Sequence, residues 1–162
     1  MKTSAIISND GKYRYELRRT WWNWTAPQLV MFIMLNPSTA DDVIDDATIT
    51  RCINYAMAWG YGGLIVGNLF GHRSKDKKQI RKQADPVGKD NDRILLEAAL
   101  EADMVICAWG NDGKFMDRSR QILSLLRENG INPQMLTMTK QGEPGHPLYL
   151  KKNLEPIPLE AE

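Results

Sequence analysis

Residues 29–38 read Leu-Val-Met-Phe-Ile-Met-Leu-Asn-Pro-Ser, an unbroken apolar run that ends at Asn36 and Pro37. A strand that is buried on both faces is apolar without alternation, which is typical of parallel strands at the centre of an α/β sheet. Proline has no N–H with which to extend the sheet. The run therefore predicts a central parallel strand over residues 29–35, with a polar loop at its carboxyl end.

Similar units follow along the chain. Apolar runs at 64–67, 104–108 and 134–138 predict three more strands. Apolar side chains at helical spacing predict helices after Asp45 or Asp46, which can cap the first one, and over 91–101 and 114–129. Alternation over 11–19 predicts an added N-terminal strand, and the last twelve residues, with two prolines, predict a loose tail.

This order of elements predicts the fold class. Strands that alternate with helices form a mainly parallel sheet with helices on both faces. We predict a single α/β domain over 1–162, with a core of about 11–150 and a tail at 151–162. Its architecture would be three-layer α/β/α, with a four-stranded parallel sheet core plus an N-terminal strand.

Composition excludes several classes of protein. The chain has 162 residues with 21 Lys+Arg against 20 Asp+Glu, so no global positive field is available to hold nucleic acid. Two cysteines are too few for a disulfide scaffold or a four-cysteine metal site. The longest apolar runs are far shorter than a membrane span, and the apolar run at the N-terminus is too short for a signal peptide. We expect a cytoplasmic protein with no membrane partner.

Polar residues follow each predicted core strand. They are Asn36-Pro37-Ser38, Asn68, Trp109-Gly110 and the segment 139–146. Because parallel strands end at one edge of the sheet, where open α/β folds bind ligands, these loops should meet in one crevice.

The first loop and the acidic segment after it each have two interpretations. Asn36 and the backbone of Pro37 and Ser38 could present polar groups to a ligand or a water, or could simply end the strand. Four aspartates at 41, 42, 45 and 46 could cap a helix and face solvent, or Asp41 or Asp46 could act as a general base. A metal site is the least favoured interpretation, since no second acidic cluster is evident.

Side chains in the later loops suit recognition of a base or a phosphate. Asn68 offers a donor and an acceptor together, which fits the edge of a base, although a turn asparagine is an equal alternative. Phe70 could stack on a base or pack in the core. Arg73 begins a basic stretch within 72–82, which could contact phosphate or form a solvated face. His146 could donate a hydrogen bond to developing negative charge, or be an incidental surface residue.

Six short sequence motifs resemble those of a known family. MLNPSTAD, DDATITRCINYA, WGYGGLIVGNLFGHRSKD, PVGKDNDR, AWGNDG and GHPLYL occur in this order over roughly residues 13–150. They resemble a bacterial and phage family known as uncharacterised domain number 1643. That family brings no activity with it.

A more distant resemblance implies a fold and catalytic roles for individual residues. Members of the uracil-DNA glycosylase superfamily have a buried strand before a proline loop, then a strand-end asparagine, a strand ending in Trp-Gly and a last strand ending in His-Pro. The words at 34–38, Asn68, Trp109-Gly110 and 145–148 are similar. The resemblance implies a uracil-DNA-glycosylase-like fold. It also implies that Asn36 positions the hydrolytic water, Asn68 reads the base, His146 stabilises the departing base and Leu148 or Tyr149 wedges into a duplex.

The leading expectation is a glycosylase-like enzyme that binds a base, nucleoside or nucleotide, free or in DNA, and cleaves or exchanges an N-glycosidic bond. It would use no metal or other cofactor. The expected site comprises Asn36, Asp41, Asp46 and His146 for catalysis, and Pro37, Ser38, Asn68, Phe70, Arg73, Trp109, Gly110 and Leu148 for substrate binding.

Two alternatives from other classes stay open. One is a non-catalytic nucleotide- or nucleic-acid-binding module. The other is a protein-interaction domain that uses the Trp21/Trp22/Trp24 cluster as its contact surface. The oligomeric state is left open.

Overall fold

The computed structural model describes residues 1–22 and 26–160. Within these ranges the strands are β1 (Lys2–Ile7), β2 (Arg14–Thr20), β3 (Leu29–Met34), β4 (Gly63–Asn68), β5 (Met104–Cys107), β6 (Gln134–Met135) and β7 (Ile157–Pro158). The α-helices are α1 (Ala47–Ala58), α2 (Asn91–Glu101) and α3 (Arg118–Glu128). Short 3₁₀ helices lie at Lys77–Lys82, Asn111–Asp117 and Pro147–Tyr149.

The strands form one seven-stranded mixed sheet in the order β1-β2-β4-β3-β5-β6-β7. The four strands β4, β3, β5 and β6 are parallel, and β1, β2 and β7 join the two edges antiparallel. Along β3, Val30 lies opposite Leu64 on one side and Met104 on the other. The predicted α/β class, the parallel core and the added N-terminal strand are therefore confirmed.

Helices cover both faces of the sheet, which explains why β3 is apolar throughout. Val30 and Phe32 belong to a buried cluster that includes α1, whereas Met31 and Ile33 belong to a second buried cluster with α2 and α3. Each of these four side chains is fully buried. Alternate residues of one strand thus fill two separate cores, as expected for a central parallel strand.

Helix α1 begins where its cap was expected. Asp46 is the N-cap, and its side chain accepts a hydrogen bond from the N–H of Ile49 at 2.9 Å. Asp45, the other candidate, instead forms an ion pair with the buried Arg19. Capping satisfies one of the free N–H groups in the first turn and fixes the point at which the chain leaves the loop.

Strand order reverses at β3, and this positions the site. The chain moves from β3 to β4 on one side, then returns to place β5 on the other side of β3. A crevice opens outside the carboxyl ends of the strands at such a point in α/β sheets. The loops after β3, β4 and β5 all lie at this edge.

Four features of the fold differ from the sequence-based expectation. Strand β1 was not predicted, and the strand expected over 134–138 is limited to Gln134–Met135. Helix α3 begins at Arg118 rather than near Lys114, because Phe115 is extended and Met116 is left-handed. The prediction of a loose tail was wrong, since β7 pairs with β6 and Leu159 is buried.

No helix within the described ranges is both long enough and apolar enough to cross a membrane.

Candidate functional site

A cavity of about 740 Å³ opens at the carboxyl ends of β3, β4 and β5. Its volume is in the range of small-molecule and cofactor sites. The loops after these strands and the loop before the 3₁₀ helix at Pro147–Tyr149 contribute to its wall. The predicted site residues that line it are Asn36, Pro37, Ser38, Asp46, Asn68, Trp109, Gly110, His146 and Leu148.

The side chain of Asn36 joins the loop after β3 to the loop that contains Ser74. Its Nδ2 donates to the carbonyl oxygens of Pro37 and Ser74, each at 3.1 Å. The N–H of Ser74 donates back to the carbonyl of Pro37 at 2.9 Å. The amide nitrogen of Asn36 therefore positions the loop, and its Oδ1 accepts no hydrogen bond from a described residue.

Asn68 is the last residue of β4, opposite Met34 of β3. Its side chain is 1% exposed and lines the cavity, yet neither Nδ2 nor Oδ1 has a hydrogen-bond partner among the described residues. Buried amides are almost always hydrogen-bonded in native proteins, because an unpaired donor or acceptor costs about 1–3 kcal/mol. Asn68 thus has one free donor group and one free acceptor for a ligand or a water.

Trp109 and Gly110 form the part of the wall that follows β5. The Trp109 ring is 1% exposed, and its Nε1 has no partner among the described residues. Gly110 adopts a φ of +77°, which favours glycine, and its N–H donates to the carbonyl of Pro144 at 2.8 Å. This bond joins the loop after β5 to the last loop, which carries His146.

His146 is held in one neutral tautomer. Its Nδ1 accepts a hydrogen bond from the N–H of Leu148 at 3.2 Å, so the ring proton is on Nε2. Burial, with a smaller contribution from the nearby positive charge of Lys77, lowers the pKa of His146 to about 4. The imidazole is therefore a neutral N–H donor at pH 7.

Asp46 joins the cap of α1 to the cavity. One carboxylate oxygen, Oδ1, accepts from the N–H of Ile49, and the residue lines the cavity beside Thr48. Its second oxygen accepts no hydrogen bond from a described residue. Asp46 can therefore accept a proton or a hydrogen bond without losing its capping role.

Three predicted site residues do not line the cavity. Asp41 accepts hydrogen bonds from the N–H groups of Val43 and Ile44, which lower its pKa. Phe70 is fully buried in the core beneath the second face of the sheet. Arg73 donates to the carbonyl of Gly11 at 3.4 Å.

Sequence reasoning missed Arg14, which lies between Tyr13 and Tyr15 in the alternating pattern of the N-terminal strand. Arg14 is 2% exposed and lines the cavity. Its Nη1 donates to the carbonyl of Ala40 at 2.9 Å, and its Nε has no partner among the described residues. Burial lowers the pKa of Arg14 to about 10, so the group is still charged at neutral pH.

An ion pair lies at the rim of the cavity. Lys77 and Asp112 both line it, and their charged atoms are 2.7 Å apart. This pairing lowers the pKa of Asp112 and raises that of Lys77. Two members of the basic stretch, Lys75 and Lys77, therefore reach the cavity.

Trp21 and Trp22 of the tryptophan cluster do not line this cavity. Trp21 is half-buried and its Nε1 donates to the carbonyl of Tyr61 at 2.9 Å, while Trp22 is 39% exposed. Trp24 lies outside the described residues. Trp21 therefore packs over the edge of the core beside α1.

Cysteine and metal chemistry have little support in the described part of the chain. Cys52 and Cys107 are fully buried, and burial raises the pKa of both thiols. A buried thiol with a raised pKa is a poor nucleophile. Residues 1–22 and 26–160 contain no group of three or more His, Cys, Asp or Glu placed to hold a metal ion.

Comparison with known proteins shows the family. The profile of a family described as Protein of unknown function (DUF1643) matches residues 14–148, which is most of the chain and includes the residues of the cavity up to Leu148. The chain belongs to this family. Searches of curated proteins and of solved structures found no match.

Proposed function

We propose that this DUF1643 protein is a glycosylase-like enzyme that binds a base, nucleoside or nucleotide in the cavity and cleaves or exchanges its N-glycosidic bond. The observation that carries the proposal is Asn68. Its buried amide has a free donor and a free acceptor at the wall of a cavity of ligand size. A base edge presents the complementary acceptor and donor side by side.

Trp109 adds to the argument for a base. Its large ring lines the cavity, and its Nε1–H is a second unpaired donor among the described residues. A fixed, unpaired indole N–H suits an acceptor atom on a heteroaromatic ring. The ligand would be oriented by Asn68 and by the Nε1–H of Trp109.

Hydrolysis by these residues can be written without a metal. Water attacks the anomeric carbon, a C–O bond forms and the C–N bond breaks, with its electron pair leaving on the base. Asp46 accepts the proton of the water through its free oxygen, and His146 donates a hydrogen bond from Nε2 to the negative charge on the base. General-base catalysis typically contributes about 10²–10⁴-fold, and one such donor about 10²–10³-fold.

The likeness to the uracil-DNA glycosylase superfamily supports this assignment. Asn36, Asn68, Trp109 and His146, which stand in matching order along the sequence, all line the cavity. A three-layer glycosylase-like fold is part of the proposal, as are the roles that the resemblance implies for these side chains.

A second candidate is a non-catalytic nucleotide-binding module. One observation favours it: the amide nitrogen of Asn36 is already bonded to the carbonyls of Pro37 and Ser74, so it is not free to hold a water. In that case the cavity would bind its ligand without turnover.

The two candidates are separated by an assay of base release. Wild type is incubated with nucleosides, nucleotides and single- and double-stranded oligonucleotides, and free base is measured by chromatography. The same ligands are titrated by calorimetry. We expect turnover of at least one ligand and about 10–100-fold weaker binding by Asn68→Ala.

Variants of the catalytic groups complete the experiment. His146→Ala and Asp46→Asn should lower turnover by about 10²-fold or more. The control is His72→Ala, since His72 is the other histidine and does not line the cavity. Binding without release of base by wild type would favour the module, and no binding of any ligand would exclude both candidates.

A further inference from the structure

Three arginines are almost fully buried among the described residues, and two of them have a carboxylate partner. Arg19 is bonded to Asp45 at 2.8 Å and Arg118 to Asp92 at 2.6 Å. Arg14 is 2% exposed, and no carboxylate of a described residue lies within 4 Å of its guanidinium. Arg14 is thus the exception in a chain that otherwise pairs its buried arginines.

The guanidinium of Arg14 is incompletely hydrogen-bonded and lies at the cavity. Its guanidinium has one contact, from Nη1 to the carbonyl of Ala40, and Nε has no partner among the described residues. A buried charge is costly unless it is paired and hydrogen-bonded. Arg14 also lines the cavity that Asn68 lines, so a ligand there can supply the missing negative charge.

Two other positive charges at the cavity are already stabilised. Lys77 is paired with Asp112, and Lys75 is exposed to solvent, which stabilises its charge without a partner. Arg14 is almost fully buried and forms no ion pair within 4 Å, and Asp46 and Asp41 act on its charge only from farther away. A guanidinium with two free N–H directions binds a phosphate through parallel hydrogen bonds.

We infer that the ligand carries a terminal phosphate that binds Arg14, so that the substrate is a free nucleoside monophosphate. This inference rests on the proposed function for the base and extends it to the rest of the ligand. An internal phosphodiester continues as a chain on both sides, whereas a terminal phosphate can reach a side chain that is 2% exposed. The cavity volume also suits a ligand the size of a mononucleotide.

The first test compares matched ligands. Calorimetry measures the dissociation constants of nucleoside 5′-monophosphates, the corresponding nucleosides, and a duplex oligonucleotide that contains the same base. We expect one monophosphate to bind about 10–100-fold more tightly than its nucleoside, and more tightly than the duplex. Equal affinity for nucleoside and monophosphate, or a preference for the duplex, would overturn the inference.

Variants then locate the phosphate. Arg14→Gln should reduce the affinity for the monophosphate to that for the nucleoside, and Arg14→Lys should retain part of the difference. Lys82→Gln is the matched control, because it removes one exposed positive charge from the basic stretch outside the cavity. An equal loss in Lys82→Gln and Arg14→Gln would indicate a general effect of charge and would contradict the inference.

Thermal unfolding without ligand separates a binding role from a structural one. Because Arg14→Gln removes a charge that has no counterion, this variant should melt no lower than wild type. Arg19→Gln, which leaves Asp45 unpaired, should melt at a lower temperature. If Arg14→Gln melts as low as Arg19→Gln, Arg14 is a structural residue and the inference fails.

Failure of the base assignment can be recognised separately. If a phosphosugar without a base binds as tightly as the nucleotide and Asn68→Ala has no effect, the base assignment is wrong and the Arg14 assignment stands. If nucleosides bind through Asn68 and phosphate adds nothing, the base assignment stands and the Arg14 assignment is wrong.

Discussion

Burial changes what His146 can do at neutral pH. In water a histidine is partly protonated near pH 6.5, but burial lowers the pKa of His146 to about 4. The hydrogen bond from the N–H of Leu148 to Nδ1 then leaves Nε2 as the donor. His146 therefore presents one fixed N–H to the cavity throughout the physiological range of pH.

The same lowered pKa links His146 to stability. Between about pH 4 and pH 6.5 the unfolded chain binds a proton at this histidine and the folded protein does not, so stability rises with pH across that window and is constant above it. We expect wild type to lose about 2 kcal/mol more than His146→Asn between pH 7 and pH 4.5. Urea unfolding at the two pH values measures this difference.

The control for this prediction is His72→Asn. It changes the other histidine, whose ring contacts the edge of Tyr13. Comparing variants removes the contribution of the carboxylates, which titrate in all three proteins. A pH dependence of His146→Asn equal to that of wild type would show that His146 does not have a lowered pKa.

At the scale of an element, the turn after β5 holds Trp109 at the cavity. A Cβ atom added to Gly113 would lie 2.2 Å from Cδ1 of Trp109, so glycine is needed for this close approach. The chain then turns through the left-handed residues Met116 and Asp117 before α3 begins. The turn delays the start of α3 to Arg118, so that Gly113 can pack against the indole of Trp109.

Gly113→Ala should therefore displace Trp109. We expect a loss of about 1–3 kcal/mol in the free energy of unfolding and weaker ligand binding at the cavity. Gly142→Ala is the control, since Gly142 has a φ of +84° but no atom within 4 Å of an added Cβ. It should cost about 1 kcal/mol from backbone strain and leave binding unchanged.

Chemical denaturation and calorimetry on the two variants measure both effects. Unchanged ligand affinity in Gly113→Ala would show that the ligand does not depend on the position of Trp109.

At the scale of the whole molecule, the C-terminal segment is part of the sheet. Met135 of β6 pairs with Ile157 of β7, and the N–H of Leu159 donates to the carbonyl of Pro133. Arg127 of α3 donates to the carbonyl of Leu159 at 3.0 Å. The segment therefore covers an edge of the sheet and closes the core beneath α3.

Leu159→Ala should lower the free energy of unfolding by about 2–4 kcal/mol, because Leu159 is 7% exposed within that core. Ile157→Ala is the matched control, since Ile157 is 44% exposed and belongs to the same segment. It should cost less than about 1 kcal/mol. Equal losses in the two variants, measured by urea unfolding, would mean that Leu159 is not anchored in the core.

Local patterns predicted most of the elements and much of the cavity. The run at 29–35 and the helical spacing after Asp46 are set by residues adjacent in the sequence, so β3 and α1 could be predicted from the sequence. The loops follow from strand ends, which is why Asn68 and His146 were candidates and do line the cavity. The sequence could not show that Phe70, unlike Asn68 and His146, does not line the cavity. A phenylalanine near a strand end has the same local pattern whether it packs in the core or faces a ligand.

The α/β class and the edge of the sheet at which a site can form follow from the order of residues alone, since hydrophobic periodicity and strand ends are local properties. The tertiary structure alone decided that β1 and β7 extend the sheet and that Arg14 lacks a carboxylate partner while Arg19 has one. Strand pairing and charge pairing depend on residues far apart in the chain: Arg19 and Asp45 are 26 positions apart. Whether a buried polar group is satisfied is therefore known only once the chain is folded.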